Sequence, residues 1–150
     1  MGMNEFVNSN KDNIFVDTNV LIGAFVGFEK DKKCLDYLFS SRIQKKKKRL
    51  YISSLSIAQF VATFQHKKVD DDKIRKHVKY LQSKFNVIEF TEKDIDEALK
   101  FKIIDMEDAI QFILGTKLKC LYFITNNIKD YKNLINIIPV KPSQEVAKIK

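Results

Sequence analysis

Short apolar runs alternate along the chain with longer stretches in which apolar residues recur every three or four positions. Such short runs predict buried strands, because a strand covered by helices on both faces of a sheet is apolar throughout. The last run contains Pro139, which cannot donate a hydrogen bond to a neighbouring strand, so it is expected at a sheet edge. The predicted strands are 14–16, 50–52, 87–90, 121–124 and 137–140.

The stretches between these runs have the apolar spacing of helices that bury one face. Ser53 and Ser54 can cap the helix after the second strand, and Thr91 with Asp94 forms a start resembling a capping box. The predicted helices are 18–26, 30–44, 55–67, one that begins at 70–72, one from Thr91 to near Lys102, and 105–119, followed by a short helix or frayed tail from Ser143.

Strands separated by helices in this order predict an α/β fold of three layers, with a parallel central sheet of four to five strands. A chain of 150 residues suits one hydrophobic core. No repeat or linker-like change in composition divides it. We therefore expect a single domain over 1–150, in which 1–11 form a flexible N-terminal extension.

The composition is that of a folded globular protein, with 45% hydrophobic and 31% charged residues. The two cysteines have no metal-ligand or disulfide-framework spacing, which suits the reducing cytoplasm. The N-terminus lacks the apolar core of a secretory signal, and no apolar stretch approaches the length of a membrane span. A cytoplasmic protein without a membrane partner is expected.

The chain is basic, with 27 Lys and Arg against 19 Asp and Glu and a formal charge of +8. A positive surface attracts polyanions, of which nucleic acid is the commonest in a cell. One basic run either contacts RNA phosphates or is a solvated connection between a helix and a strand. It consists of Lys45, Lys46, Lys47, Lys48 and Arg49.

Polar and acidic residues follow the predicted strands at the positions where an open parallel sheet binds ligands. Crowded carboxylates repel one another unless a cation lies among them, and Mg²⁺ or Mn²⁺ prefers such oxygen ligands. The residues that can converge on one crevice are Asp17, Gln59, Asp105, Asp108, Asn127 and Asp130.

Each carboxylate also has a simpler explanation. Asp17 could cap the helix that follows it, and Asp105 with Asp108 could complement the dipole of their own helix. Asp130 could be a turn residue. Only the combination points to a metal site.

Five segments resemble, in order and spacing, the motifs of the PIN domain family, and in particular the single-domain bacterial VapC-like toxins. The first is Ile-Phe-Val-Asp-Thr-Asn-Val-Leu-Ile (14–22), and the second is Ile-Ser-Ser-Leu-Ser-Ile-Ala-Gln-Phe (52–60). The others are Asp-Met-Glu-Asp-Ala-Ile-Gln (105–111), Ile-Thr-Asn-Asn-Ile-Lys-Asp-Tyr (124–131) and Ile-Pro-Val-Lys-Pro-Ser-Gln-Glu-Val (138–146).

The resemblance implies a dimeric, metal-dependent endoribonuclease that acts on RNA and is silenced by a small antitoxin protein. It implies that Asp17, Asp108 and Asp130 are catalytic and hold Mg²⁺ or Mn²⁺. The supporting residues would be Thr18, Asn19, Gln59, Asp105 and Asn127.

Two departures leave a second function open. Gln59 stands where the family normally carries Glu, and Asn127 stands where many members carry Asp. An amide oxygen can coordinate a cation but adds no charge. The alternative is therefore a degenerate PIN module that binds RNA or a protein partner without cleaving.

A third hypothesis is a phosphotransfer enzyme with Asp17 as the nucleophile. That chemistry needs a second Asp two positions later as a general acid and base. Asn19 occupies this position and cannot serve in that role.

Overall fold

The computed structural model describes residues 9–102 and 104–150. Within these ranges a five-stranded sheet has the strand order β3-β2-β1-β4-β5, and every neighbouring pair is parallel. The predicted α/β fold is confirmed, and Pro139 lies in an edge strand. The strands are β1 (Asn10–Val16), β2 (Arg49–Ser53), β3 (Asn86–Ile88), β4 (Cys120–Ile124) and β5 (Ile138–Val140).

The N-terminal extension predicted over 1–11 reaches two residues too far along the chain. Asn10 and Lys11 belong to β1, and the Asn10 amide donates to the Lys119 carbonyl at 2.7 Å. Residues 1–8 of the predicted extension lie outside the described residues.

Helices fill the connections between the strands. They are α1 (Thr18–Val26), α2 (Glu29–Phe39), α3 (Ser41–Lys45), α4 (Ser54–His66), α5 (Asp71–Lys84), α6 (Glu92–Ala98), α7 (Met106–Lys117) and α8 (Ile128–Tyr131), followed by a 3₁₀ helix at Gln144–Lys148.

The prediction of a single helix over 30–44 is wrong, because the helix is interrupted at Ser40 and a second, short helix follows. The backbone of Ser40 is extended, with φ −69° and ψ 158°, and its hydroxyl donates to the Tyr37 carbonyl at 2.6 Å. A serine that bonds to nearby backbone competes with the helical hydrogen-bond pattern. Likewise, α6 ends at Ala98 rather than near Lys102.

The two faces of the sheet bury separate apolar clusters. Ile14 and Val16 of β1 belong to the cluster that includes residues of α1, α2, α4 and α5, whereas Phe15 points into the cluster with α7. Phe15 stacks on Phe123 of β4 with the ring centroids 5.1 Å apart. The alternation of side chains along these two strands therefore produces the three layers.

The central strand β1 positions the candidate site, because it pairs with β2 on one side and β4 on the other. The connections that leave its carboxyl end and that of β4 border a crevice of the kind that binds ligands in open parallel sheets. No helix within the described ranges is both long enough and apolar enough to cross a membrane.

Candidate metal centre

A crevice of about 430 Å³ opens at the carboxyl ends of β1, β2 and β4. Its polar lining comes from the start of α1, the first turns of α4, the first turn of α7 and the segment after β4. The charged and amide side chains that line it are Asp17, Asn19, Gln59, Asp105, Glu107, Asp108, Gln111 and Asn127.

Asp108 lies at the centre of the acidic group. One carboxylate oxygen from each of Asp105, Asp108 and Asp130 lies within 4.8 Å of the other two. Asp105 caps α7 and accepts a hydrogen bond from the Asp108 amide at 2.9 Å, so the two carboxylates are held on one turn. The sequence therefore predicted the convergence of these three residues, although Asp105 was assigned only a supporting role.

The Oδ2 atom of Asp108 is buried and has no hydrogen-bond partner among the described residues. A buried polar atom without a partner is costly, and a cation or water bound to it would remove that cost. Every candidate donor is a carboxylate or amide oxygen, which is the set that Mg²⁺ and Mn²⁺ prefer over softer metals. The residues present therefore fit a hard divalent cation.

Electrostatics point in the same direction. Burial, followed by the charge of Asp17, raises the pKa of Asp108 to about 7. Burial also raises the pKa of Asp17 to about 6, against the hydrogen bonds that Asp17 accepts. Both carboxyls are thus harder to ionise than an ordinary aspartate, and a bound cation would favour their charged forms.

Asp17 is fixed rigidly beside this group. Its Oδ1 accepts from the Thr18 amide at 2.8 Å, while its Oδ2 accepts from the Thr125 hydroxyl at 2.8 Å and from the Asn19 side chain at 3.1 Å. Asp17 is also the N-cap residue of α1, so capping and site position coincide in one residue. Since both oxygens accept hydrogen bonds and the residue is 3% exposed, the geometry does not favour Asp17 as a phosphotransfer nucleophile.

The residues predicted to support the site all line the crevice. The Thr18 hydroxyl lies 2.7 Å from the Gln59 Oε1 atom, and the Asn19 side-chain oxygen accepts from the Asn126 amide at 3.1 Å. Asn127 is exposed and lines the crevice. Asp130 lies in the short helix α8 rather than in a turn, and its amide donates to the Asn127 carbonyl at 3.0 Å.

Sequence reasoning missed a buried polar network beneath the crevice. Gln111, which is 1% exposed, hydrogen-bonds through its amide to the hydroxyls of Thr18, Ser53 and Ser56 at 2.8–2.9 Å. The available signal was a glutamine inside the otherwise apolar run 109–114 of α7. A buried polar side chain in such a run must have partners.

Two acidic residues were also missed. Glu107 lies in the first turn of α7 and accepts a hydrogen bond from the Gln59 side chain. Asp31, which is 1% exposed, accepts from the Asn126 side chain. Neither could be found from spacing, because both look like ordinary first-turn acids of a helix.

The basic run predicted to contact RNA lies away from the crevice. It ends at Arg49, the first residue of β2, so it lies at the amino ends of the strands, whereas the crevice lies at their carboxyl ends. The prediction is wrong for Lys48, whose side chain is fully buried and donates to the Lys11 carbonyl and the Asp12 carboxylate. Arg49 donates to Asn13 at 2.6 Å. Lysines 45–47 are exposed there.

Comparisons with solved structures reveal the same fold in two toxin–antitoxin assemblies. A chain of a toxin–antitoxin complex from Klebsiella pneumoniae superposes with a TM-score of 0.63 at 18% identity, over 83% of this chain and 95% of that chain. A chain of VapBC2 from Rickettsia felis, bound to a DNA fragment from their promoter, gives a TM-score of 0.63 at 18% identity, over 86% and 98%. No curated protein matches the sequence.

The sequence itself matches a family model. The model described as "PIN domain" covers residues 13–129, well over half of the chain. This range includes Asp17, Gln59, Asp108 and Asn127, and it ends just before Asp130. The family-model match and the parallel α/β sheet agree, and the chain belongs to the PIN domain family.

Proposed function

We propose that this protein is a metal-dependent endoribonuclease and the toxin of a toxin–antitoxin pair. The observation that carries the proposal is the buried Oδ2 of Asp108, which has no hydrogen-bond partner among the described residues and belongs to a carboxylate that lies close to those of Asp105 and Asp130. A net charge of +8 supports a polyanionic substrate. The fold shared with toxin–antitoxin assemblies supports the toxin assignment.

Asp108, Asp130 and Asp17 would hold Mg²⁺ or Mn²⁺, with Asp105 beside them. When bound, such a cation supplies positive charge at the scissile phosphodiester and favours ionisation of a nearby water. Asp17 contributes a carboxylate that Thr125, Thr18 and Asn19 hold in place. Preorganisation of this kind avoids a reorganisation cost during the reaction.

The neutral residues of the crevice would bind and orient RNA. Asn127 is exposed at the crevice and offers an amide N–H that can donate to a phosphate oxygen. The first turn of α1 and the segment after β4 are joined by the bond from the Asn126 amide to Asn19. This bond therefore fixes the position of Asp17 relative to Asn127.

RNA cleavage in Mg²⁺ or Mn²⁺ tests the proposal, with wild type compared with Asp17→Asn and Asp108→Asn. Asp96→Asn, an exposed change of the same type on α6, is the matched control. We expect cleavage by wild type and the control and its loss in both site variants. Equal cleavage by all four proteins would refute the assignment.

A second function is favoured by Gln59 and Asn127, which place amides where the resemblance leads one to expect acids. In this alternative the protein binds RNA or a protein partner without cleaving it. Calorimetric titration separates the two functions, because undetectable affinity for both Mn²⁺ and Mg²⁺ favours the binding module. Creation of cleavage by Gln59→Glu, from none in wild type, would identify a degenerate nuclease.

The partner assignments belong to the same proposal. We propose a small antitoxin protein, a homodimer of this chain and a cytoplasmic location. A short neighbouring reading frame whose product co-purifies with this chain and suppresses its toxicity would support the antitoxin. Sedimentation of the purified chain tests the homodimer, and a monomer at all concentrations would contradict it.

A further inference from the structure

Gln59 has one orientation that satisfies its surroundings. Its amide lies between the Thr18 hydroxyl, 2.7 Å from Oε1, and the carboxylate of Glu107, to which Nε2 donates. A carboxylate can only accept, so the NH₂ group must face Glu107 and the carbonyl must face Thr18.

The buried polar network beneath the crevice includes the Thr18 hydroxyl, which can donate to the Gln59 carbonyl. The Gln111 amide nitrogen donates to the hydroxyls of Thr18 and Ser56, and the Ser53 hydroxyl donates to the Gln111 carbonyl. Ser56 can then donate to Ser53, from which it lies 3.1 Å away. The Thr18 hydroxyl can then donate either to Ser56 or to Gln59 Oε1, each 2.7 Å away, and the Glu107 carboxylate fixes the orientation of the Gln59 amide.

Gln59 and Glu107 are therefore chemically matched. A carboxylate at position 59 could still accept from Thr18, but its second oxygen would face the carboxylate of Glu107 and repel it. The neutral amide instead holds Glu107 beside the crevice, which both side chains line. Glu107 also lies between Asp105 and Asp108 in sequence, at the start of α7.

We propose that Glu107, held by Gln59, supplies the negative charge that the amide lacks, as a further acid of the cation site. Gln59 is then a positioning residue, and Glu107 would act through waters bound to the cation, because it lies outside the group of Asp105, Asp108 and Asp130 whose carboxylate oxygens lie within 4.8 Å of one another. This inference rests on the metal-dependent function proposed above. It goes further in naming the residue that completes the charge of the site.

The test is calorimetric Mn²⁺ affinity, measured on the full chain without RNA. We expect Glu107→Gln to weaken binding by about tenfold or more, which is the usual effect of losing a group that supports a metal. Glu92→Gln, which removes an exposed first-turn glutamate from α6, is the matched control and should leave the affinity unchanged. Thermal melts should show that all these variants remain folded.

The charge-swapped double variant, Gln59→Glu with Glu107→Gln, tests the pairing itself. The new carboxylate at 59 can accept from Thr18 and from the new amide at 107, so the affinity should return to near the wild-type value. A structural role of Glu107 at the helix end would not produce this rescue.

The outcomes separate the two proposals. If wild type binds Mn²⁺ and Asp108→Asn abolishes binding, but Glu107→Gln behaves like Glu92→Gln, only the role of Glu107 is overturned. Loss of affinity in Glu107→Gln without rescue in the double variant overturns the pairing with Gln59. If folded wild-type protein binds no Mn²⁺, the metal-dependent function fails, and the role of Glu107 fails with it.

Discussion

The side chain of Asn126 donates a hydrogen bond to the Asp31 carboxylate at 3.2 Å, which ties α2 to the segment that follows β4. The backbone amide of Asn126 meanwhile donates to Asn19 in α1. Asn126 thus joins two helices to the segment that presents Asn127 and Asp130. Asp31 lies outside every motif, yet it helps to set the shape of the crevice.

Asp31→Ala should destabilise the protein by about 1–3 kcal/mol, because the Asn126 side chain loses its partner in a partly buried position. It should also weaken Mn²⁺ binding, since the segment that carries Asp130 is less restrained. Urea denaturation and calorimetry measure the two effects. Asp36→Ala, an exposed change on the same helix, is the control, and equal behaviour of the two variants would contradict the role of Asp31.

Gly23→Ala should be destabilising, although alanine is normally the better helix residue. A Cβ atom at position 23 would lie 1.9 Å from the Asp31 Oδ2 atom, so the buried carboxylate would have to move. Overpacking of this kind costs about 1–3 kcal/mol.

The coupling between these two residues is open to a double-mutant cycle. In an Asp31→Ala background, Gly23→Ala should cost much less, because the clashing oxygens are gone. Strictly additive free energies of unfolding would show that the contact between Gly23 and Asp31 does not limit the packing.

Without divalent cations, the protein should lose stability as the pH rises towards 8. The pKa values of Asp108 and Asp17 are raised to about 7 and about 6, so the folded state binds these protons more tightly than the unfolded chain. The resulting stabilisation is complete below the ordinary aspartate pKa, about 4, and is lost as the pH rises through the raised values.

Urea denaturation in a chelating buffer between about pH 5 and about pH 8 measures this dependence. In the Asp108→Asn variant the side chain at position 108 cannot ionise. The free energy of unfolding of this variant should therefore fall less steeply over this range than that of wild type. Asp96→Asn should keep the wild-type slope. Identical slopes in all three proteins would contradict the burial of an ionisable Asp108.

Lys48→Ala should lower the Tm and leave RNA binding unchanged. The Lys48 ammonium is fully buried and donates to the Lys11 carbonyl and to Asp12, so its removal leaves these oxygens without a partner at the start of β1. Thermal melts and RNA titration measure the two properties. Lys47→Ala, which changes an exposed neighbour, should leave the Tm unchanged; a Lys48 variant that loses RNA affinity without loss of stability would restore the original prediction.

The sequence predicted the strands well, because each contains a short apolar run. The runs in β1, β2 and β4 are largely buried as expected, whereas the edge strands β3 and β5 expose Val87 and Ile138. The prediction of helix ends was less accurate where a single side chain determines the end. At Ser40, the hydroxyl competes with the backbone hydrogen bonds of the helix. The amino end of β1 was also missed, since Asn10 and Lys11 are polar and pair through their backbone. Local polarity alone cannot show where such pairing stops.

The positions of site residues were predictable where a residue directly follows a strand, as Asp17 does, or shares a helical turn with another acid, as Asp108 does with Asp105. They were not predictable where two distant side chains meet by packing. Glu107 and Gln59 are 48 positions apart, and Asp31 and Asn126 are 95 apart. The prediction of RNA contact failed for Lys48, because a charged residue in a basic run can bury its side chain when oxygen acceptors lie at the amino end of the neighbouring strand, here β1.

The strand order has a consequence for how the crevice comes into being. β1 is synthesised well before its neighbour β4 and before the acid in α8. A growing chain on the ribosome therefore carries Asp17 long before it has Asp108 and Asp130 to place beside it. Since domains fold as units, the acidic crevice can form only once residues through Tyr131 have emerged from the ribosome.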